Sequence, residues 1–262
     1  MSAPKALVLR TSGSNCELET ARAFELGGAR AEIAHFDRVL ARPALLEEFQ
    51  LLAFVGGFSF GDDLAAGRVW GASLRGPVRD ALLAHRDRGG LTLGICNGFQ
   101  VLVESGIFEP ERPPGERRIA LYANASNHYE CRWVELETQA CKCPWLVAGE
   151  RFCVPVAHAE GRFVARDEAT LAALRANGQI ALCYVAPGGG EPDYPANPNG
   201  AQGHVAGLCD PTGRVLGLMP HPERNLDPWN HPQWTRLGRR AEGEGAMFYR
   251  RMVEVAAGAA VS

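Results

Sequence analysis

The run Leu91-Thr92-Leu93-Gly94-Ile95-Cys96-Asn97-Gly98-Phe99-Gln100 leaves the backbone few paths. Five residues suited to a buried strand pass straight into a helical pattern, so the chain must turn within one or two residues of Cys96. Gly94 and Gly98 fit such a strand-to-helix elbow, because small neighbours let the backbone fold tightly and leave room for a substrate. This arrangement predicts a thiol exposed at the turn. Free amide N–H groups and the positive end of the helix dipole would then favour its thiolate, the nucleophilic form. A cysteine at a strand end is more often a core residue, so Cys96 becomes a candidate nucleophile only together with partners elsewhere in the chain.

The pattern around the elbow sets the fold class. Lys5–Arg10 reads as a strand, Thr11-Ser12-Gly13-Ser14-Asn15 as a capping turn, and Glu17–Leu26 as a helix with Glu17 and Glu19 at its favourable end. Residues 31–35 suit a second strand, 45–49 a short helix, 51–55 a strand covered on both faces, and 80–88 an amphipathic helix. Strands alternating with helices at this spacing predict an α/β fold with a mostly parallel sheet flanked by helices, and one domain over 1–262. In the C-terminal half the pattern changes. Residues 132–137 and 151–156 alternate like antiparallel or edge strands, with Pro155 favouring an edge. Residues 186–203 read as a loop. The segments 205–209 and 215–219 flank the turn Asp210-Pro211-Thr212-Gly213 as a hairpin, and 245–257 suits a closing helix.

Composition narrows the chemistry. With 262 residues, 46% of them hydrophobic, the chain is long enough for one elaborated core, and its net charge of −3 gives no basis for nucleic-acid binding. No apolar run nears the ~20 residues that span a bilayer, and Lys5 already opens a strand, so no membrane segment or signal peptide is expected and the location is expected to be cytoplasmic. Eight cysteines then read as reduced thiols. Cys131, Cys141, Cys143 and Cys153 lie close in sequence, but Cys141-Lys142-Cys143 lacks the paired-knuckle spacing of a zinc site, so no metal is expected.

A cysteine nucleophile needs a base, and the base needs an orienting group. Pro220-His221-Pro222-Glu223 supplies both: in extended backbone His221 and Glu223 would project to the same side, at the end of a buried strand. Attack on a carbonyl creates an oxyanion that requires preorganised donors. The backbone N–H of Gly57, in Gly56-Gly57-Phe58 after the third strand, and that of Asn97 at the helix start are the candidates. Thioester-forming acyl transfer on an amide or ester is the reaction class these groups permit. Cys16 also precedes a helix but lacks flanking glycines, and reads as structural. His158 and Glu160 form a second His-x-Glu that competes with His221 and Glu223.

Gly94-Ile95-Cys96-Asn97-Gly98-Phe99-Gln100 with Pro220-His221-Pro222-Glu223 resembles the class I (triad) glutamine amidotransferases. Asn97 and Phe99, residues 56–62, Gly13-Ser14-Asn15-Cys16 and residues 155–162 are similar to the glutaminase subunits of phosphoribosylformylglycinamidine synthases, along almost the whole chain. The resemblance implies a flavodoxin-like sheet and a triad of Cys96, His221 and Glu223 acting on glutamine. It implies an oxyanion hole at Gly57 and Asn97, substrate contacts at Gly56, Phe58 and Gln100, and a place for His158 and Glu160 on the inter-subunit side. It further implies release of ammonia to a large synthetase subunit, with a possible small bridging subunit. ATP and magnesium would belong to that synthetase, since the chain has no Gly-x-x-x-x-Gly-Lys loop and no cofactor of its own is expected. The triad alone also suits a glutaminase of another synthase or a stand-alone γ-glutamyl hydrolase. A scaffold with a dead site is disfavoured by the intact triad.

Overall fold

The computed structural model describes residues 3–113 and 116–258. The first half alternates strands and helices: β1 (Lys5–Arg10), α1 (Glu17–Leu26), β2 (Arg30–His35), α2 (Asp37–Ala41), β3 (Leu51–Phe54), α3 (Arg68–Ser73), α4 (Pro77–Asp87), β4 (Leu91–Ile95) and α5 (Asn97–Ser105). The second half contains β5 (Ile119–Tyr122), β6 (Glu130–Thr138), β7 (Arg151–His158), β8 (Arg162–Ala165), α6 (Glu168–Ala176), β9 (Ile180–Val185), β10 (Val205–Cys209), β11 (Val215–Leu218) and α7 (Glu244–Ala256).

Nine of these strands form one sheet in the order β2-β1-β3-β4-β11-β10-β9-β6-β7, and β5 pairs separately with β8. Neighbours from β2 to β11 run parallel, while those from β11 to β7 run antiparallel. Connection chemistry explains the change. Helical crossovers link the strands of the first half and permit parallel pairing, whereas the tight Asp210–Gly213 turn can only return the chain antiparallel. Every residue of β3 and β4 is buried, as strands covered on both faces require. β7, with Pro155, lies at the sheet's edge.

Several expectations shift at the element level. Residues 45–48 fall in a 3₁₀ segment, Pro43–Glu48, rather than an α-helix, and Phe49 is already extended. The helix expected over 80–88 starts earlier, with Pro77 in its first turn after Gly76, where a missing N–H costs nothing. The short helices α2 and α3 carry too little periodicity to be read. α6 has a cap that was legible in principle, since the Asp167 carboxylate accepts the Thr170 N–H at 2.7 Å.

The elbow itself is held by close backbone approach. A Cβ on Gly98 would stand 1.9 Å from the Phe54 carbonyl oxygen of β3, so only glycine lets α5 settle this near the sheet. Gly98→Ala should therefore push α5 off β3 and lower stability by about 1–3 kcal/mol. A drop in the urea midpoint, with the denaturant slope unchanged, is the expected result.

Candidate active site

β4 delivers Cys96 to the end of the sheet in an unusual conformation, φ 52° and ψ −106°, which few non-glycine residues adopt. Its N–H donates to the Leu218 carbonyl at 2.8 Å, and its carbonyl accepts the Gln100 N–H at 3.1 Å, so strand and helix both hold the turn. The thiol is not exposed as the elbow suggested: Cys96 is 5% accessible, and its Sγ lies 3.7 Å from the Ala157 carbonyl. Burial, reinforced by the neighbouring Cys16, pushes its pKa well up, while Arg224 and the Asn97 backbone N–H pull the other way. Desolvation wins over the helix N-terminus, and the resting group is a thiol.

β11 runs parallel beside β4 and carries His221 to the same edge. His221 Nδ1 and Glu223 Oε1 are 2.5 Å apart, and both side chains are almost fully buried. Residues 222–224 form a 3₁₀ turn, so it is this turn, and not the extended backbone expected, that brings the two together. The His221 N–H is anchored to the Pro155 carbonyl at 2.8 Å. Nε2 of His221 is buried without a partner among the described residues. His221, Cys16 and Cys96 all approach Gly56, where a Cβ would lie 3.0 Å from His221 Cε1, 3.2 Å from Cys16 Sγ and 3.6 Å from Cys96 Cβ. Gly56 thus leaves room between the His221 ring and the two cysteines, and it is not among the residues that line the cavity.

Gly57 has φ 133°, and a Cβ there would stand 2.5 Å from the Gly13 carbonyl. Gly57 bridges to Ser14, using Asn15 N–H to the Gly56 carbonyl at 3.2 Å and Phe58 N–H to the Gly13 carbonyl at 2.8 Å. The N–H of Gly57 takes part in neither bond. A cavity of about 220 Å³ opens beside Cys96, lined by Gly57, Phe58, Gln100, His158 and Glu160 among others. Gln100 lines it with both polar ends engaged: Nε2 donates to the Glu160 carbonyl, and Oε1 accepts from Asn97 Nδ2 at 3.0 Å. Gln100 is therefore part of the wall's scaffolding.

Sequence reading assigned Asn97 a role through its backbone and missed its side chain, which accepts the Ser59 N–H at 3.2 Å and reaches Asp62 at 3.3 Å. Asp62 shares the cavity wall, and burial raises its pKa. His158 and Glu160, expected on an inter-subunit side, stand on the wall of this cavity. They form no second dyad: Glu160 Oε2 accepts the Ala66 N–H at 3.2 Å, while His158 Nδ1 pairs with Asn124 at 3.1 Å.

Cys16 reads differently in three dimensions. Its sulfur lies 3.9 Å from His221 Nδ1 and accepts a hydrogen bond from Arg224 Nη2 at 2.9 Å. Burial, with Glu223 nearby, pushes the thiol up to about 12, so Cys16 packs against the dyad as a neutral group. Arg224 was the signal overlooked, a cation directly after Glu223. Cys16, His221 and Glu223 are the one such triple among the described residues with ligand atoms within 4.8 Å of one another. Cys131, Cys141, Cys143 and Cys153 do not converge in this way.

Residues 3–254 match the model of the CobB/CobQ-like glutamine amidotransferase domain. The chain is 40% identical to phosphoribosylformylglycinamidine synthase subunit PurQ of Dehalococcoides mccartyi, over 97% of this chain and 98% of that one. It is 42% identical to the PurQ subunit of Methanococcus maripaludis, over 88% and 86% of the two chains. Among solved structures it is similar to a chain of PurLQS from Thermotoga maritima, with a TM-score of 0.69 and 29% identity, over 96% of this chain and 97% of that one. Another glutamine amidotransferase from Thermotoga maritima shares the fold alone, at TM-score 0.56 and 15% identity over 98% and 99% of the chains.

Because burial keeps Cys96 protonated while Cys131 is exposed, iodoacetamide at neutral pH should label Cys131 ahead of Cys96 in the substrate-free protein. Cys96 labelling should climb as pH rises, read by peptide mass spectrometry, and faster labelling of Cys96 at neutral pH would contradict the buried-thiol picture. The chain belongs to the glutamine amidotransferase family that provides the PurQ subunit of phosphoribosylformylglycinamidine synthase.

Proposed function

We propose that the chain hydrolyses glutamine through a Cys96 thioester and delivers the ammonia to a large synthetase subunit. The synthetase converts formylglycinamide ribonucleotide to formylglycinamidine ribonucleotide. The observation that carries this reading is the convergence of Cys96 and the Glu223-paired His221 on the α-carbon of Gly56, beside a cavity large enough for a small ligand.

The steps follow from the geometry. His221, oriented through Nδ1 by Glu223, takes the Cys96 proton on Nε2 as Sγ bonds to the glutamine carboxamide carbon. The carbonyl π pair moves onto oxygen, where the N–H groups of Gly57 and Asn97 receive it. Collapse expels the amide nitrogen, which takes the proton from His221 and leaves as ammonia. Water then adds to the thioester and gives a proton to His221; the C–S bond breaks, the sulfur regains its proton, and glutamate departs. A thiol held protonated by burial makes His221 indispensable, since no resting thiolate is available. Asp62 and Glu160 on the cavity wall suit the α-ammonium group of the substrate. ATP and magnesium act at the synthetase partner, and the assembly works in the cytoplasm. No helix among the described residues is long and apolar enough to cross a membrane.

An electrophilic glutamine analogue should label Cys96 in the assembled complex and fail in Cys96→Ala; labelling confined to Cys16 would overturn the nucleophile assignment. Cys96→Ala should lose glutamine-dependent synthesis yet retain synthesis from added ammonium. Glu223→Gln should lower glutaminase kcat by about 10²- to 10⁴-fold, the usual span of general acid–base assistance.

A further inference from the structure

His158 takes no part in the proposed triad, yet it lines the same cavity as Cys96. Its hydrogen bonds determine its tautomer. The Asn124 side-chain oxygen accepts the Gly161 backbone N–H at 3.1 Å, and the Asn124 amide nitrogen donates to the carbonyls of His128 and His158 at 2.9 and 2.8 Å. A backbone N–H only donates and a carbonyl only accepts, so the orientation of the Asn124 amide is settled by its partners. His158 Nδ1 lies 3.1 Å from the same Asn124 oxygen and must carry the proton. The lone pair is left on Nε2.

That Nε2 is buried and has no hydrogen-bond partner among the described residues, a costly state for a residue that lines the cavity. The ring packs closely on Gly161, where a Cβ would stand 2.5 Å from Cε1, and its Nδ1 is tied to Asn124. Burial, with His221 nearby, lowers the His158 pKa to about 3, so Nε2 keeps its lone pair through the neutral range. Position along β7 says which part of a ligand it meets. The carbonyl of Ala157, the preceding residue, is 3.7 Å from Cys96 Sγ, so His158 stands at the reacting end of the cavity.

We propose that His158 Nε2 accepts a hydrogen bond from the carboxamide N–H of bound glutamine, which makes His158 the residue that separates amide substrate from carboxylate product. Glutamate has no N–H at that position and would set an oxygen lone pair against a nitrogen lone pair. The same contact holds the leaving nitrogen in place until it has taken its proton. This inference rests on reading the cavity as the glutamine site.

The test compares L-glutamine with L-glutamate γ-methyl ester, which carries the same side-chain carbonyl and no carboxamide N–H, using the assembled complex. In His158→Phe, kcat/KM for glutamine should fall about ten- to a hundredfold, while ester hydrolysis changes by less than about threefold. Inhibition by glutamate should tighten in the same variant. His158→Gln offers a side-chain oxygen as acceptor and should recover part of the glutamine activity. Equal losses on amide and ester in both variants, or no loss on the amide, would overturn the proposal. Failure of the wild-type complex to hydrolyse either substrate would instead overturn the glutaminase reading on which it rests.

Discussion

Ile95 and Leu218 lie opposite each other across a parallel ladder, and the hydrogen bond from the Cys96 N–H to the Leu218 carbonyl extends that ladder by one more rung. Everything chemical in the molecule depends on this pairing. Parallel strands end at the same edge of a sheet, so Cys96, one residue beyond β4, and His221, three residues beyond β11, emerge near each other despite their distance in sequence. β10, antiparallel to β11, ends at the opposite edge. α7 supports the arrangement from outside, since Gly245 packs so closely on the Pro222 carbonyl that a Cβ would overlap it.

The site trades reactivity at rest for control. A thiol at a helix N-terminus is usually made acidic by the helix, yet here it is surrounded by strand backbone, Cys16 and the buried dyad, and loss of hydration dominates. A buried thiol reacts little with adventitious electrophiles and becomes a nucleophile when a base removes its proton. In the proposed mechanism His221, held by Glu223, is that base, and Arg224, bonded to Cys16, places a cation near the Glu223 carboxylate. Glycines at 56, 57 and 98 serve the same end, since each permits an approach of backbone or side chain that a methyl group would prevent.

Much of this was legible in the primary structure. The apolar runs of β1, β3 and β4 and the hairpin around Asp210–Gly213 followed from periodicity and turn chemistry, and Pro155 pointed correctly to an edge. The Gly-x-Cys-x-Gly elbow stands at the end of β4, and of the two His-x-Glu pairs only His221 and Glu223 are in contact with each other. What escaped had weak local signals: α3 has barely two turns, and the pairing of Asn124 with His158 joins a loop to a strand end with nothing in the intervening sequence to announce it. Cys16 read as a remote structural thiol because its nearness to His221 depends on how the first loop lies across β3.

The sequence by itself determined the chemistry available. Cysteine between glycines, histidine two residues before glutamate, and alternating strands and helices restrict the chain to an α/β acyl-transfer fold, because these are local properties of backbone freedom and side-chain reactivity. Tertiary structure alone decided the environment. Whether Cys96 is thiol or thiolate, which His-x-Glu becomes a dyad, and which imidazole nitrogen of His158 keeps its lone pair all depend on burial and on hydrogen bonds between residues far apart in the chain. Those are properties of desolvated space, and that space exists only after β4 and β11 have paired.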